Sequence, residues 1–423
     1  MFFEKLLKLL ETNNVFLSGG AGVGKSYLTN KIIQTYQKNG KSVVPLGSTG
    51  ISAVNIGGYT IHSFFVFGIA NNLEELKYFD KKNKKRLNDL KKILSNIDLI
   101  IIDEISMVSA TLMDMIYYRL WSFGFSGKLL VVGDFYQLPP VIKTAKDNSL
   151  FSQEIFAFES MAWSKFDFKP IILDEVKRVN DLDFVKILSK IRVGICDREV
   201  KEYLNFLLNR DINFPAEPTY LFGRNDTALA LNREKLALLD GDEMFYYWQV
   251  DKLEDINQKR FESWANALPV DKILNLKVGA PVIFTKNEWG RYVNGQRGVV
   301  VDLDVDKIVV RSKGRDIELK QHIFEMTEFD SDSLEPKVIA TISQYPIKLA
   351  YAITIHKSQG MSIELLNCNL DHLFASGQLY VAISRSSNPK FLKIDYSRSD
   401  FNSYLDRVIV KNEIVDKFYS ELI

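Results

Sequence analysis

The residues of this sequence with the most recognisable chemistry form a glycine-rich segment at positions 19–26, which reads GGAGVGKS. It fits the P-loop pattern, in which glycines let backbone N–H groups turn onto a phosphate while a helix N-terminus adds partial positive charge. We expect Lys25 to reach the β- and γ-phosphates and the Ser26 hydroxyl to ligand Mg²⁺. The residues expected to hold the nucleotide here are Gly20, Gly22, Val23, Gly24, Lys25, Ser26 and Tyr27.

Two carboxylates follow the apolar run 99–102, which predicts a buried strand. A carboxylate at the carboxyl end of a parallel strand lies beside the phosphate-binding loop. We therefore expect Asp103 to hold Mg²⁺ through water, and Glu104 to orient or deprotonate the water that attacks the γ-phosphate. Without the upstream P-loop, the same pair would be an acidic strand end.

The segment 133–140 follows the next predicted strand, and its Gln137, helped by Asp134, is placed to sense the γ-phosphate. Arg178 and Arg385 are candidate arginine fingers, because a guanidinium spreads over charge that develops on the transferred phosphate. A surface ion pair is the ordinary role of a lone arginine, and the motif around Arg385 makes it the stronger candidate. The predicted catalytic set is Lys25, Asp103, Glu104, Gln137, Arg178 and Arg385.

Three segments suit contact with a nucleic-acid strand: 49–55, 60–65 and 354–360. Hydroxyls, backbone amides and histidine hold phosphates, whereas aromatic rings stack on bases. The histidine and the rings of the second segment would equally suit a hydrophobic core. Gly360 is expected to face the nucleotide. The predicted nucleic-acid contacts are Thr49, Gly50, His62, Ser63, Phe64, Thr354, His356 and Lys357.

Short apolar runs separated by helical stretches surround these residues and predict a parallel α/β architecture. Residues 71–94 predict a small lysine-rich helical insertion, most of whose charge a solvated helix face explains. From about 279 to 318, alternating apolar residues and glycine turns predict a small β-barrel. The predicted α/β strands lie at 14–18, 42–46, 99–102, 129–132, 170–173, 219–222, 349–354, 365–368 and 391–394.

The composition is that of an ordinary globular protein, with 46% hydrophobic residues, 25% charged residues and a net charge of +1. No global basic field is present, so a nucleic-acid surface would require local segregation of charge. Cys196 and Cys368 fit neither a metal site nor a disulfide framework and favour a reducing compartment. Because neither a membrane span nor a secretory signal is predicted, we expect a cytoplasmic protein with no membrane partner.

Taken together, these motifs resemble the petite integration frequency (Pif-one) family of superfamily-one DNA helicases. Residues 102–107 with the following helix are similar to the signature element of that family, and residues 293–300 look like its SH3-like inserted domain. The resemblance covers nearly the whole chain. The matching segments are 19–26, 47–65, 103–108, 133–140, 173–178, 350–360 and 377–385.

The resemblance implies an α/β fold of two RecA-like P-loop NTPase domains with a small wedge insertion and an SH3-like β insertion. On this basis, the first RecA-like domain spans 1–165, with the wedge at about 66–94. The second spans 166–250 and 335–423, and the SH3-like domain spans 251–334. Two positions depart from the family: no glutamine that could read adenine precedes the P-loop, and Val179 follows Arg178 where a glutamine is common.

The resemblance also implies dependence on ATP and Mg²⁺ and 5′→3′ movement on single-stranded DNA. It implies forked duplexes, G-quadruplexes and RNA–DNA hybrids as substrates. We expect a monomer in a bacterial or phage cytoplasm, associated with the nucleoid. Two alternatives stay open from the residues: a RecD-like motor subunit of a recombination complex, and a nucleotide-gated switch that binds protein or RNA without unwinding.

Overall fold

The computed structural model describes residues 2–68, 70–140, 155–252, 256–288, 290–329, 336–373, 377–398 and 400–422. Its backbone contacts divide the chain into two compact units. The first unit comprises Met1–Lys177, Thr327–Lys337 and Asn412–Ile423, and the second comprises Arg178–Met326 and Val338–Lys411. Within the described residues, no helix is long and apolar enough to cross a bilayer.

The first unit alternates strands and helices, as the spacing of its apolar runs predicts. All five predicted strands of this unit differ from the observed bounds by one residue at one or both ends, which is the ordinary uncertainty of strand ends. Its elements before residue 178 are α1 (Phe2–Leu10), β1 (Val15–Gly19), α2 (Lys25–Lys38), β2 (Val43–Gly47), α3 (Gly50–Ile56), β3 (Tyr59–Thr60), α4 (Ile61–Phe64), α5 (Leu73–Lys82), α6 (Lys84–Leu94), β4 (Leu99–Asp103), α7 (Ala110–Ser122), β5 (Lys128–Gly133), α8 (Met161–Phe166) and β6 (Lys169–Leu173).

The strands of the first unit form one six-stranded parallel sheet in the order β3-β2-β4-β5-β1-β6. The central strands are buried along their length because helices cover both faces, which is why their sequences are continuously apolar. Since all strands are parallel, the loops that follow β1, β4 and β5 lie at the same edge of the sheet. The predicted phosphate-binding, acidic and amide residues therefore share one edge.

Residues 71–94, for which a helical segment is predicted, contain the helices α5 and α6 of the first unit. Arg119 on α7 is 1% exposed, and its guanidinium donates to both carboxylate oxygens of Asp80 on α5 at 2.8 Å. The Arg119 Nε also donates to the carbonyl oxygen of Phe65 at 3.1 Å. These hydrogen bonds of Arg119 connect both α5 and Phe65, which precedes α5, to the buried helix α7.

The second unit combines a parallel sheet with antiparallel strands. Its α/β elements and β-rich insert appear in the predicted order. They are α9 (Leu182–Arg192), α10 (Arg198–Asn209), β7 (Thr219–Phe222), α11 (Asn225–Ala237), β8 (Met244–Tyr247), β9 (Gln249–Lys252), α12 (Gln258–Asn266), β10 (Ile273–Leu276), β11 (Pro281–Phe284), β12 (Arg297–Asp304), β13 (Lys307–Ser312), β14 (Arg315–Glu318), β15 (His322–Phe329), β16 (Pro336–Gln344), β17 (Ile347–Leu349), β18 (Ala352–Thr354), β19 (Leu366–Asn369), α13 (Gln378–Ile383), β20 (Leu392–Asp395) and α14 (Phe401–Val408); β15 and β16 extend into residues of the first unit.

The parallel strands of the second unit are ordered β18-β7-β19-β20. A separate antiparallel sheet has the order β14-β13-β12-β11-β17 and packs around its own buried apolar cluster. This sheet matches the β-rich pattern of residues 279–318. Its strands are short, and Gly314 lies in the turn between β13 and β14 with φ 73°.

The predicted strand at 349–354 is wrong as one element. The chain changes sheets there: Ile347–Leu349 pairs antiparallel with β11, whereas Ala352–Thr354 pairs parallel with β7. The backbone between them serves both sheets, because Ala350 N donates to Pro281 O and Tyr351 O accepts from Tyr220 N. A largely apolar run does not reveal such a change, because the residue pattern continues from one strand into the other.

The last helix, α15 (Glu413–Ser420), belongs to the first unit, although it follows α14 of the second. Val415 is fully buried, and Tyr419 is 7% exposed. The ring of Phe418 stacks on that of Phe158 with centroids 4.1 Å apart. The end of the chain therefore completes the core beside the six-stranded sheet, a placement that the sequence analysis did not predict.

Candidate functional site

The P-loop connects β1 to α2, as its sequence predicts. Gly22 and Gly24 adopt φ values of 77° and 96°, which side chains other than glycine rarely reach. Gly19 is required for a different reason, because a Cβ there would lie 2.4 Å from the carbonyl oxygen of Leu173 on β6. The Lys25 ammonium donates to the carbonyl oxygens of Gly19 and Gly20 at 2.6 and 2.8 Å, so it lies along the loop.

The remaining P-loop candidates are distributed as a phosphate cradle requires. Gly20 and Gly24 are partly exposed, Ser26 and Tyr27 are exposed on the first turn of α2, and Val23 is 7% exposed. Val23 thus anchors the loop in the protein interior, whereas the hydroxyl of Ser26 lies at the helix N-terminus. Backbone N–H groups at such a terminus have no intrahelical partner and suit an anion.

Asp103 is the last residue of β4, and Glu104 follows it in the left-handed region at φ 54° and ψ 51°. Burial, and then the charge of Glu104, raise the pKa of Asp103 to about 7. Lys25 acts in the opposite direction and lowers the pKa of Asp103. The left-handed conformation of Glu104 costs about 1–3 kcal/mol for a residue other than glycine, and such strain concentrates at functional sites.

The strained turn at Glu104 packs against the end of β5. A Cβ on Gly133 would lie 2.9 Å from both the backbone nitrogen and Cγ2 of Ile105. Glycine at this position therefore allows the loop after β5 to approach the acidic turn. In that loop, Asp134 is 1% exposed, and its Oδ2 accepts a hydrogen bond of 3.3 Å from Nε2 of Gln137. The structure thus brings the acidic pair and the amide candidate to one edge of the sheet.

Arg178 and Arg385 both lie in the second unit, around Ser384. Arg178 Nη1 donates to the carbonyl oxygen of Ser384 at 2.7 Å, and Arg385 Nη2 donates to its Oγ at 3.1 Å. Burial and then the charge of Arg385 lower the pKa of Arg178 to about 9. Gly360 lies elsewhere in the same unit and is exposed, with φ 77°. The structure therefore groups the two arginines with each other.

The first-unit candidates for nucleic-acid contact lie on α3 and α4. Thr49 caps α3 by accepting from Ser52 N at 3.2 Å, and Gly50 is the first residue of that helix. His62 is exposed, Ser63 is partly buried and Phe64 is 6% exposed. The Phe64 ring packs edge-on against Phe65 at 5.0 Å, which is the environment of a core side chain rather than one that stacks on a base.

The second-unit candidates follow β18. Thr354 is 4% exposed, His356 is partly buried and Lys357 is exposed. Burial lowers the pKa of His356, so its imidazole stays neutral to lower pH than usual. Thr354 and Lys357 line a groove of about 650 Å³ within this unit.

The groove beside Thr354 contains residues that motif reasoning missed. Lys348 and Arg233 add positive charge, and Phe245 and Tyr247 add aromatic rings that are 50% and 61% exposed. Burial and, to a smaller extent, the charge of Lys357 lower the pKa of Lys348, whereas the charge of Asp271 raises it. Glu243 and Asp271 are the acidic residues among those lining the groove. No single motif contains these residues, because the two rings lie on β8, Lys348 lies on β17 and Arg233 lies on α11.

Family models match two parts of the chain. The model described as PIF1-like helicase matches residues 4–202, and a model described as Helicase matches residues 280–416. The chain is 43% identical to the ATP-dependent DNA helicase Pif1 of Campylobacter jejuni, over 99% of this chain and 97% of the relative. It is 36% identical to the protein of the same name from Bdellovibrio bacteriovorus, over 90% and 84% of the two chains.

Solved structures agree with these relatives. The Bacteroides sp Pif1 complex with ADP-AlF4 is 27% identical and superposes with a TM-score of 0.83, covering 99% of this chain and 96% of that one. The Bacteroides Pif1 structure bound to ssDNA gives a TM-score of 0.65 at the same identity and coverage. The parallel sheets, the P-loop and these similarities over nearly the full length lead to one conclusion: the chain belongs to the Pif1 family of ATP-dependent DNA helicases.

Proposed function

We propose that the protein translocates 5′→3′ on single-stranded DNA and unwinds forked duplexes, with ATP hydrolysis at the P-loop of the first unit as the energy source. The observation that carries this proposal is the shared sheet edge, where Lys25, Glu104 and Gln137 follow the strands β1, β4 and β5. The names of the bacterial relatives and the ssDNA-bound Bacteroides structure support DNA as the track. RNA–DNA hybrids and G-quadruplexes are further substrates that we propose for the same motor.

Each catalytic residue has a proposed role that fits its position. Lys25 binds the β- and γ-phosphates after leaving the loop carbonyls. Glu104 orients the attacking water and accepts its proton, Gln137 contacts the γ-phosphate, and Arg178 and Arg385 spread the charge that develops on the phosphate. Gly20 to Tyr27 cradle the phosphates, and Gly360 contributes to the nucleotide site.

The oxygen donors of the first unit suit Mg²⁺. Asp103 and Ser26 would hold the ion, and both offer the hard oxygen ligands that Mg²⁺ prefers. The raised pKa of Asp103 fits this role, because a divalent cation stabilises the ionised form of a desolvated carboxylate. When bound, Mg²⁺ neutralises part of the charge on the β- and γ-phosphates.

Each unit has its own proposed set of residues that contact DNA. In the first unit, Thr49, Gly50, His62 and Ser63 offer hydroxyls, a helix N-terminus and an exposed imidazole. In the second unit, Thr354, His356 and Lys357 lie at the groove that also contains Lys348 and Tyr247. We infer that cycles of ATP binding and hydrolysis move the DNA contacts of one unit along the strand relative to those of the other unit.

The two units differ from the expected domain bounds, because 166–177 and 412–423 belong to the first unit and not to the second. We propose that the helices within 66–94 act as the wedge that separates the duplex strands. We also propose that the antiparallel sheet β14-β13-β12-β11-β17, whose strands other than β17 lie within 251–334, belongs to the SH3-like domain. The proposed working form is a cytoplasmic, nucleoid-associated monomer.

The test is ATP hydrolysis measured with and without single-stranded DNA. The proposal predicts stimulation by the DNA, no turnover in Lys25→Ala, and normal turnover in Lys38→Ala, which removes an exposed lysine from the other end of the same helix. Lys25→Ala should still bind single-stranded DNA. Hydrolysis indifferent to DNA would favour the nucleotide-gated switch, and activity only with partner proteins would favour the RecD-like subunit.

A further inference from the structure

Tyr419 on α15 connects two strand ends of the nucleotide site. Its hydroxyl lies 2.6 Å from Oγ of Ser18, the residue before Gly19 at the carboxyl end of β1. The same hydroxyl accepts the backbone N–H of Phe135 at 3.2 Å, in the loop after β5. Because it accepts from Phe135, the phenol proton remains available for Ser18. One hydroxyl therefore bridges the strand that leads into the P-loop and the loop that carries Gln137.

Tyr136 adds two further contacts between this loop and α15. Its ring stacks on the ring of Tyr419 with centroids 5.0 Å apart and planes 10° apart. Its hydroxyl donates to Oδ1 of Asp416 at 2.6 Å. Gln137 follows directly, and its backbone N–H donates to the carbonyl oxygen of Asp134 at 2.9 Å. Since the loop is this short, a displacement of residues 135 and 136 would displace the amide of Gln137 as well.

Packing against the core holds helix α15 in place, and this packing also fixes the position of Tyr419. Phe418 stacks on Phe158, and its ring lies 5.5 Å from that of Phe135. Val415 is fully buried in the same cluster. In sequence, residues 409–412 connect α15 to α14 of the second unit. The support for the Gln137 loop thus comes from the far end of the chain.

We propose that Tyr419, with Asp416 and Tyr136, is a positioning residue for ATP hydrolysis that holds the 134–138 loop in the conformation in which Gln137 reaches the γ-phosphate. This inference rests on the proposed role of Gln137. In this role, Tyr419 acts by fixing the backbone of the loop through the Phe135 N–H and the ring of Tyr136. Its loss should therefore slow the chemical step more than it weakens nucleotide binding.

The central variant is Tyr419→Phe, which removes the hydroxyl and keeps the stacked ring. We expect kcat for single-strand-stimulated ATP hydrolysis to fall about tenfold, the change in rate typical for a lost hydrogen bond, with KM for ATP within about twofold of the original. Tyr136→Phe, which removes the hydroxyl that donates to Asp416 and keeps the stacked ring, should lower kcat by a smaller factor. This second variant keeps the test informative if Tyr419→Phe is poorly folded.

The matched control is Tyr404→Phe in the second unit. Tyr404 is also 7% exposed, and its hydroxyl donates to the carbonyl oxygen of Leu370 at 2.7 Å, so the variant loses a comparable buried hydrogen bond. Tyr404→Phe should leave kcat unchanged while lowering the thermal unfolding temperature about as much as Tyr419→Phe does. Equal losses of kcat in both variants would show a general effect of stability and would overturn the inference.

Gln137→Ala separates this inference from the function on which it rests. If Gln137→Ala lowers kcat and Tyr419→Phe adds nothing to that variant, the two residues act through one step, as proposed. If Gln137→Ala lowers kcat and Tyr419→Phe in the native sequence has no effect, the positioning role is wrong but the function of Gln137 stands. If Gln137→Ala hydrolyses ATP at the native rate, the γ-phosphate contact itself is wrong.

Discussion

Arg178 and Arg385 converge on Ser384, with guanidinium nitrogens donating to its carbonyl oxygen at 2.7 Å and to its hydroxyl at 3.1 Å. Arg385 is only 3% exposed, and the proximity of Arg385 contributes to the lowered pKa of Arg178. We propose that these two neighbouring guanidinium groups act on the phosphates of ATP, since an anion offsets the repulsion between adjacent cations.

Arg385→Ala should bind ATP but turn it over about 10³-fold more slowly, since that is the scale of a lost arginine finger. Arg385→Lys should be nearly as slow, because an ammonium keeps the charge but lacks the planar fork. Steady-state ATP hydrolysis with saturating single-stranded DNA measures both. Arg407→Ala, which removes an exposed arginine of the same unit, is the control. Near-normal turnover in Arg385→Ala would remove this residue from the catalytic set.

Gly133→Ala should slow ATP hydrolysis although it adds only one methyl group. The new Cβ would meet the backbone nitrogen of Ile105 at 2.9 Å and push on the strained turn at Glu104. Gly124→Ala is the control, because nothing lies within 4 Å of its Cβ and its φ of 70° costs about 1–2 kcal/mol of stability. Loss of turnover in the first variant alone is the expected result, and equal turnover in both would contradict the coupling of these two loops.

Many strands, helices and candidate site residues of the first unit could be predicted from sequence, because short sequence patterns there all indicate the same α/β arrangement. The apolar strand before Gly19, the helix after Lys25 and the carboxylate after 99–102 each follow from short-range rules. The role of α15 could not be predicted in the same way. Val415, Phe418, Tyr419 and Leu422 have the i, i+3, i+4, i+7 spacing of an amphipathic helix, but this spacing does not say which core the helix joins.

The burial of Phe64 and the composition of the groove beside Thr354 could not be predicted from short sequence motifs. Phe64 sits in a motif that suggests base stacking, yet tertiary packing decides its environment, and it is 6% exposed. The groove beside Thr354 gathers Lys348 and Tyr247 from separate strands, so no linear motif contains it. Short motifs identify chemistry at a strand end, whereas side chains that converge from distant segments require the fold.

Asp80→Ala should destabilise the first unit by about 3–5 kcal/mol, because it leaves the buried guanidinium of Arg119 without its carboxylate. Arg86→Ala removes an exposed ion pair with Glu328 and should cost no more than about 1 kcal/mol. Urea unfolding followed by circular dichroism compares the two. If α5 belongs to the wedge, Asp80→Ala should also lose unwinding at temperatures where ATP hydrolysis persists. Equal stability of the two variants would contradict the proposed anchoring of α5.

Lys357→Ala should weaken binding to single-stranded DNA and reduce its dependence on salt. A lysine that neutralises one phosphate contributes about 0.7 to the slope of log K against log salt concentration for a single strand. Fluorescence anisotropy across a salt series measures this slope. Lys390→Ala, an exposed lysine of the same unit, should leave it unchanged. An unaltered slope in Lys357→Ala would place this lysine away from the DNA backbone.

The direction of movement is tested most directly by unwinding of one duplex carrying a single-stranded tail at either its 5′ or its 3′ end, with ATP and Mg²⁺. We expect the 5′-tailed duplex to be opened, the 3′-tailed and blunt duplexes to resist, and Lys25→Ala to open none of them. Preferential opening of the 3′-tailed duplex would contradict the proposed polarity, and failure to open either tailed duplex despite DNA-stimulated ATP hydrolysis would contradict an autonomous helicase.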